Sequence, residues 1–256
     1  MIVRESHPKR RTLRVVTFRD RPDLLGAVAA WKNVWPDFLL HGQEARRRFG
    51  EARKAFPDFF LFLVDGAGRV AGSGFAAPLA WAGTAETLPE GWDGALLQSL
   101  DDHAAGRAPT AACALSAIVA PHRQGRGVGR QVLAALRDVA ASHGLGALLA
   151  PVRPTLKSLY PLAPFERYIE WKRADGSPFD PWIRLHRSMG ARVEHIALCS
   201  MVVRAPLRNW EQWTGLRFPE SGPYVVPGAL CPILVDCDRD EALYEEPNLW
   251  MIHRLA

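Results

Sequence analysis

The chain has 256 residues, 48% of them hydrophobic and 23% charged, with a formal net charge of +5. That is enough for one sizeable core, and it excludes a disordered or collagen-like chain and, with no apolar run near about 20 residues, a membrane span. The basic excess is spread along the chain, which points to an anionic ligand ahead of nucleic acid. The cysteines at 113, 199, 231 and 237 form no C-x-x-C pair that would hold zinc or run redox chemistry.

Residues 1–11 carry charge but no apolar h-region, so a flexible arm is expected rather than a signal peptide, in a cytoplasmic protein without disulfides. Residues 12–18 alternate like a first strand. Arg21-Pro22-Asp23 opens a helical stretch to about Leu40, with Leu25, Val28, Trp31 and Trp35 as its apolar stripe and Pro36 as a break or kink. A charged helix over 43–55 follows, ended by Pro57, and its Arg46-Arg47-Arg48 cluster reads as a solvated face. Residues 58–65 read as a buried strand. Gly66-Ala67-Gly68 is a turn, and 69–77 is the hairpin partner, where Gly72 and Gly74 allow a bulge or close backbone approach. The pattern is interrupted over 78–110, which holds a short helix-like segment ending in the polar cluster Asp101-Asp102-His103.

Residues 114–120 form an apolar run ended by Pro121, and a glycine-rich turn follows: Gln124-Gly125-Arg126-Gly127-Val128-Gly129. Val128, Val132, Leu133, Leu136, Val139 and Ala140 then recur at helical spacing, and Gly144 is a C′ residue for that helix. Strand, glycine turn and helix aim free N–H groups and a positive helix end at one spot, which suits phosphate. Arg123, Arg126 and Arg130 add cations. A dinucleotide fingerprint fails because Arg130 stands where its third glycine belongs, and a triphosphate loop fails for want of Gly-Lys-Ser/Thr.

The turn resembles the acetyl-CoA signature of the GNAT acyltransferases, Arg/Gln-x-x-Gly-x-Gly/Ala. Gln124, Gly127 and Gly129 match it in order, with Val119 and Pro121 upstream and the aliphatic Val128 inside. The resemblance covers residues 12–203 and is most specific over 114–144. It implies an α/β (α+β) fold with a mixed sheet of about six to seven strands flanked by helices, and 204–256 as a C-terminal extension on the same domain. It implies acetyl-CoA or another acyl-CoA as co-substrate, and no metal. Ile118, Val119, Ala120, Gln124, Gly125, Arg126, Gly127, Val128, Gly129 and Arg130 become the cofactor site. The strand over 146–152 is expected to splay from the motif strand and admit the pantetheine arm. The N–H near Ala120 would polarise the thioester carbonyl, a role closed to Pro121, which has none.

The same resemblance makes the early helical pair one wall of the acceptor site, with Trp31, Trp35, Phe38 and His41 placed to line it. It also marks 78–110 and 153–179 as insertions. The first is of the kind that forms lids. The second, with Tyr160, Glu166, Arg167 and Tyr168, builds either acceptor specificity or a structural cover. Asp180-Pro181 starts a helix, with Trp182, Leu185 and Met189 apolar and Gly190 at its end, before a strand over 191–203. Four residues before that glycine the family often has a tyrosine that protonates the departing thiolate. Here His186 stands there, and a histidine can act as a general acid near neutrality. Residues 112–120 hold no carboxylate, so the base is assigned to Glu166 or Asp102 through water, unless the amine arrives neutral. The function implied is N-acyl transfer, acetyl in the first instance, to a small-molecule amine in a ternary complex. Homodimers are common in the family. O- or S-acyl transfer, thioester cleavage and a non-catalytic acyl-CoA module are the alternatives.

Overall fold

A computed structural model describes residues 13–32, 34–42 and 44–255. The arm expected over 1–11 lies outside the described residues. In chain order the elements are β1 (Arg14–Thr17), α1 (Leu25–Ala29), α2 (Glu44–Ala55), β2 (Phe60–Val64), β3 (Val70–Leu79), α3 (Gly91–Ala104), β4 (Ala111–Val119), α4 (Val128–Ser142) and β5 (Ala147–Val152). They continue with α5 (Phe165–Tyr168), α6 (Pro181–Ser188), β6 (Arg192–Pro206), α7 (Leu207–Thr214), β7 (Gly222–Tyr224), β8 (Ile233–Asp236) and β9 (Glu241–Arg254).

The strands form one nine-stranded mixed sheet, β1-β2-β3-β4-β5-β9-β8-β7, with β6 along the other edge of β9. Every residue of β2 and β3 is buried, because helices cover both faces. Gly74 faces Val132 and Leu136 of α4, whereas Phe75 meets the Phe49 ring of α2 at 5.2 Å. Consecutive strand residues point to opposite faces, so α4 and α2 lie on opposite sides. A Cβ on Gly72 or Gly74 would come within 2.9 Å of Val128 or Val132. The two glycines therefore let α4 press directly on the sheet. Val128, Val132, Leu133, Leu136 and Ala140 are buried there as the periodicity predicts, each of the larger ones contributing about 1.5–3 kcal/mol. Gly144, at φ +74°, ends the helix with the N–H of Leu145 returning to the Ala140 carbonyl.

Three expectations change. The stretch after Pro22 is helical only to Ala29, and a 3₁₀ turn over Asp37–His41 follows Pro36, since proline restricts the residue before it as well as its own position. The segment over 78–110 is no lid: α3 packs into the core through Trp92, Ala95, Leu96 and Leu100. The sheet also exceeds the expected six to seven strands, because residues 204–256 add β7, β8 and β9 to it. β9 is an interior strand, joined to β5 on one edge and β6 on the other. The C-terminal part also has its own apolar cluster, in which Phe38 packs on Trp210 and Tyr244 at 5.3 and 5.2 Å.

Candidate active site

β4 and β5 run parallel but pair only through Ala111–Cys113 and Ala147–Leu149. Beyond that they part, because β5 follows β9 along its whole length while β4 stays on β3. Residues 114–119 of β4 and 150–152 of β5 then line one cleft of about 1370 Å³. The Ala120 N–H is spent on the Ala71 carbonyl at 3.0 Å. It therefore cannot polarise a thioester, and Ala120 is fully buried. Antiparallel ladders alternate their bonds between edges. The N–H groups of Ala117 and Val119 accordingly face the gap, and Ile118 and Val119 line it. Val119, not Ala120, is the motif-strand donor in position.

At one end of the cleft stands the glycine turn. Gly125 and Gly127 have φ of +71° and +76°, in the left-handed region where a Cβ is penalised. Gly127 is the N-cap of α4 and no side chain caps the helix. The first-turn N–H groups of a helix have no intrahelical partner, so those of α4 are left to a ligand. Gln124, Gly125, Gly127, Val128, Gly129 and Arg130 line the cleft, while Arg126 is exposed beside it. Gly129 has a separate role: a Cβ there would stand 3.3 Å from the Trp182 ring of α6. Arg123 is committed to Asp65 at 2.7 Å, and backbone N–H groups and Arg69 hold that carboxyl down at about 2. Arg130 reaches Ser188 at 2.6 Å.

No family model matches the chain. An arginine N-acetyltransferase, avaD, of Aspergillus versicolor is 34% identical over 187 residues, which is 65% of this chain and 64% of that protein. The chain thus spans just under two thirds of that relative's length. Among solved structures, the GphF GNAT-like decarboxylase in complex with isobutyryl-CoA superposes with a TM-score of 0.57 at 19% identity, over 95% of this chain and 100% of that one. The loading GNATL domain of CurA from Lyngbya majuscula gives 0.54 at 13% identity, over 95% and 96%. The chain has the GNAT fold. The resemblance read from the glycine turn thus holds for the architecture around it.

The sequence resemblance assigns the acceptor to the other end of the cleft. Trp31 and Trp35 line it, as expected. Phe38 instead fills the C-terminal apolar cluster, and His41 stacks on Trp213 at 4.6 Å. Two charged side chains that the motif reading passed over stand here. Arg46 lies over the Phe49 ring at 5.1 Å and makes no hydrogen bond or ion pair among the described residues. Burial pulls its guanidinium below the ordinary value, and Asp93 offsets this in part. Asp93 sits in the first turn of α3 and accepts the Val202 N–H at 3.0 Å. Burial pushes its carboxyl up to about 6. A close approach fixes this turn: Gly91, at φ +64°, has no room for a Cβ against Ser200, whose Oγ receives the Trp92 N–H at 2.8 Å. The cleft floor is neutral by comparison. Arg153 pairs with the buried Glu246 at 3.0 Å, and Tyr244 donates to the same carboxylate at 2.8 Å.

Sequence alone could flag Asp93 as an acid opening a helix after Pro89-Glu90-Gly91. Arg46 was hidden in an arginine run whose neighbours are solvated.

The residues assigned to catalysis are scattered. His186 is on the cleft wall yet only 2% exposed, with Nδ1 at 2.9 Å from His253 Nε2. Burial and His253 pull it down to about 3, and burial and Arg137 pull His253 down to about 4. Both rings are therefore neutral at pH 7, which removes the near-neutral titration on which an acid role for His186 rested. Among the described residues His186 Nε2 has no hydrogen-bond partner.

Asp102 is buried away from the cleft, where it accepts the Ala80 N–H at 2.7 Å and pairs with Arg107 at 2.6 Å. Glu166 is exposed on α5, outside the cleft. Tyr168 is 1% exposed and donates to Asp180 at 2.9 Å. Tyr160 packs on Tyr168, Trp171 and Phe179 at 5.1–6.1 Å. The aromatics of 153–179 thus form a cover stitched to the sheet, not an acceptor pocket. Asp180 anchors it, capping α6 through the N–H groups of Trp182 and Ile183 and holding the Leu156 N–H. Among the described residues no His, Cys, Asp and Glu group is arranged to hold a metal, and no helix is long and apolar enough to cross a membrane.

Proposed function

We propose that the chain is an acyl-CoA-dependent N-acyltransferase that moves an acyl group, acetyl in the first instance, to a small amine by direct attack in a ternary complex. The observation that carries this is the parting of β4 and β5 into a cleft with an uncapped helix N-terminus at one end and a poised carboxylate at the other. The α4 N-terminus and Arg130 would take the pyrophosphate. The Ala117 and Val119 N–H groups would take the pantetheine arm and the thioester oxygen. Asp93, rather than Asp102 or Glu166, would act as base, since it alone of the three lines the cleft. The relatives support this reading: avaD is an arginine N-acetyltransferase, and GphF is seen in complex with isobutyryl-CoA. Incubation with acetyl-CoA and a panel of small amines, read by thiol release, tests the reading. Acceptor-dependent CoA thiol supports it; acetyl-CoA bound with no thiol from any acceptor leaves only a binding module.

A second reading keeps the cleft and changes the reaction to loss of CO2 from a carboxylated acyl-CoA, as the decarboxylase description of GphF suggests. Arg46, which makes no ion pair among the described residues, favours it, because a cation there would grip the acyl carboxylate. It predicts conversion of malonyl-CoA to acetyl-CoA with no acceptor present.

A further inference from the structure

Arg46 and Asp93 both line the cleft, and neither makes an ion pair among the described residues. Other cations of the cleft have partners: Arg123 pairs with Asp65 and Arg153 with Glu246, and Arg53 lies over the Phe18 and Phe60 rings. Among the described residues Arg46 meets only the face of Phe49. A guanidinium offers five N–H donors in a planar fork that matches a carboxylate. Holding it partly desolvated and unpaired costs free energy that a ligand anion would return. Asp93 is its counterpart. The Val202 N–H occupies Oδ2 at 3.0 Å, and Oδ1 has no partner among the described residues. The two side chains feel each other's charge without forming an ion pair. Both sit on the α2–α3 side of the sheet, among Phe49, Trp92 and Met201. An unmatched cation beside an unmatched anion is the complement of a zwitterion.

We propose that the acceptor end of this cleft is built for an α-amino acid, with Arg46 receiving its carboxylate and Asp93 its ammonium group. The proposal rests on the acyltransferase reading and narrows it. The Asp93 carboxylate takes one proton from the ammonium group, freeing the nitrogen lone pair. The nitrogen attacks the thioester carbonyl carbon, and a C–N bond forms. The C–S bond then breaks, with its electron pair leaving on sulfur. The second nitrogen proton ends on the thiolate, giving an N-acyl amino acid and CoA thiol. Trp31 and Trp35 flank the space left for the amino-acid side chain. Arg46 is thus a specificity residue and Asp93 a catalytic one.

The test compares each amino acid with the amine that lacks its carboxylate. Thiol release from acetyl-CoA is followed with arginine against agmatine, lysine against cadaverine, and phenylalanine against phenethylamine. The proposal expects kcat/KM for at least one amino acid to exceed that of its amine by about 10-fold or more, the scale of a charge-assisted hydrogen bond. In Arg46→Leu that ratio should collapse toward one, chiefly through a raised amino-acid KM. Arg46→Lys should restore part of it. Amines used as well as their amino acids by the wild type, or a ratio untouched in Arg46→Leu, overturn the proposal and leave the acyltransferase reading standing. Malonyl-CoA turned into acetyl-CoA without an acceptor, or no thiol from any acceptor with acetyl-CoA bound, overturns that reading and the proposal with it.

Discussion

The two ends of the cleft are built in different ways. The donor end is local. Residues 119–130 carry strand end, turn, glycines and helix start in one stretch, and the chain folds them into an N-terminus that no side chain caps. The acceptor end is assembled from α2, the first turn of α3 and the β6 backbone, joined by the Asp93–Val202 and Trp92–Ser200 bonds, 109 and 108 residues apart in sequence. A local site can be recognised by spacing. A dispersed one exists only once tertiary packing has brought its parts together. On the proposed reading the glycine-turn end would bind the acyl donor and the dispersed end would set acceptor specificity.

The largest effect should separate the two ends. Asp93→Asn keeps the size of the side chain and one hydrogen-bond acceptor for Val202 but removes the base. Its kcat should fall by about 10²-fold or more, with acetyl-CoA affinity unchanged. Comparable losses in both would mean that the ends are not separable. Next is pH. Because burial raises the Asp93 pKa to about 6, its basic form is lost as pH falls through 6. Wild-type kcat/KM should drop about tenfold per unit below that pH, and the drop should vanish from the residual activity of Asp93→Asn. A midpoint near the ordinary carboxylate value would place the base elsewhere.

Stability offers an intermediate effect at neither end. Gly74→Val would place a Cβ 2.9 Å from Val132 and should cost about 1–3 kcal/mol by overpacking, lowering Tm by a few degrees per kcal/mol in a melt. The histidine pair gives a signed dependence. His186 and His253 are depressed below the usual 6.5, to about 3 and about 4. The unfolded chain therefore binds more protons between those values, and their contribution, complete above pH 6.5, is lost as pH falls. Tm should decline from pH 7 toward 4 less steeply in a folded His186→Phe, His253→Leu double variant than in the wild type. The smallest effects are expected at Glu166→Gln and Tyr160→Phe, both within about twofold of wild-type kcat/KM, since neither residue lines the cleft.

These contrasts show what could be read from the chain. The β3–β4–α4 region was legible because its signals are short-range: Gly72 and Gly74 under α4, the 3.6-residue stripe from Val128 to Ala140, and the turn glycines. The reading of an acyl-CoA end rests on one motif. Asp102 and Glu166 were chosen as carboxylates in polar settings, yet nothing in their neighbourhoods tells that one is buried against Arg107 and the other faces solvent. His186 held the expected place on its helix, but its burial depends on His253, 67 residues away. The interior place of β9 is not legible, because a strand that enters the middle of a sheet from the far end of the chain leaves no local mark.

The central claim is that the parted strands and the glycine turn form an acyl-CoA site. Calorimetric titration of the wild type with acetyl-CoA, beside Gly127→Glu, tests it most directly. Gly127 holds φ +76° at the uncapped start of α4, with open space where a Cβ would go. A carboxylate there would repel phosphate, while strain alone should cost only about 1–2 kcal/mol of stability. The account predicts stoichiometric binding by the wild type and loss of at least 100-fold in affinity in a variant that still melts cooperatively. A folded wild type that binds neither acetyl-CoA, longer acyl-CoAs nor free CoA would contradict it.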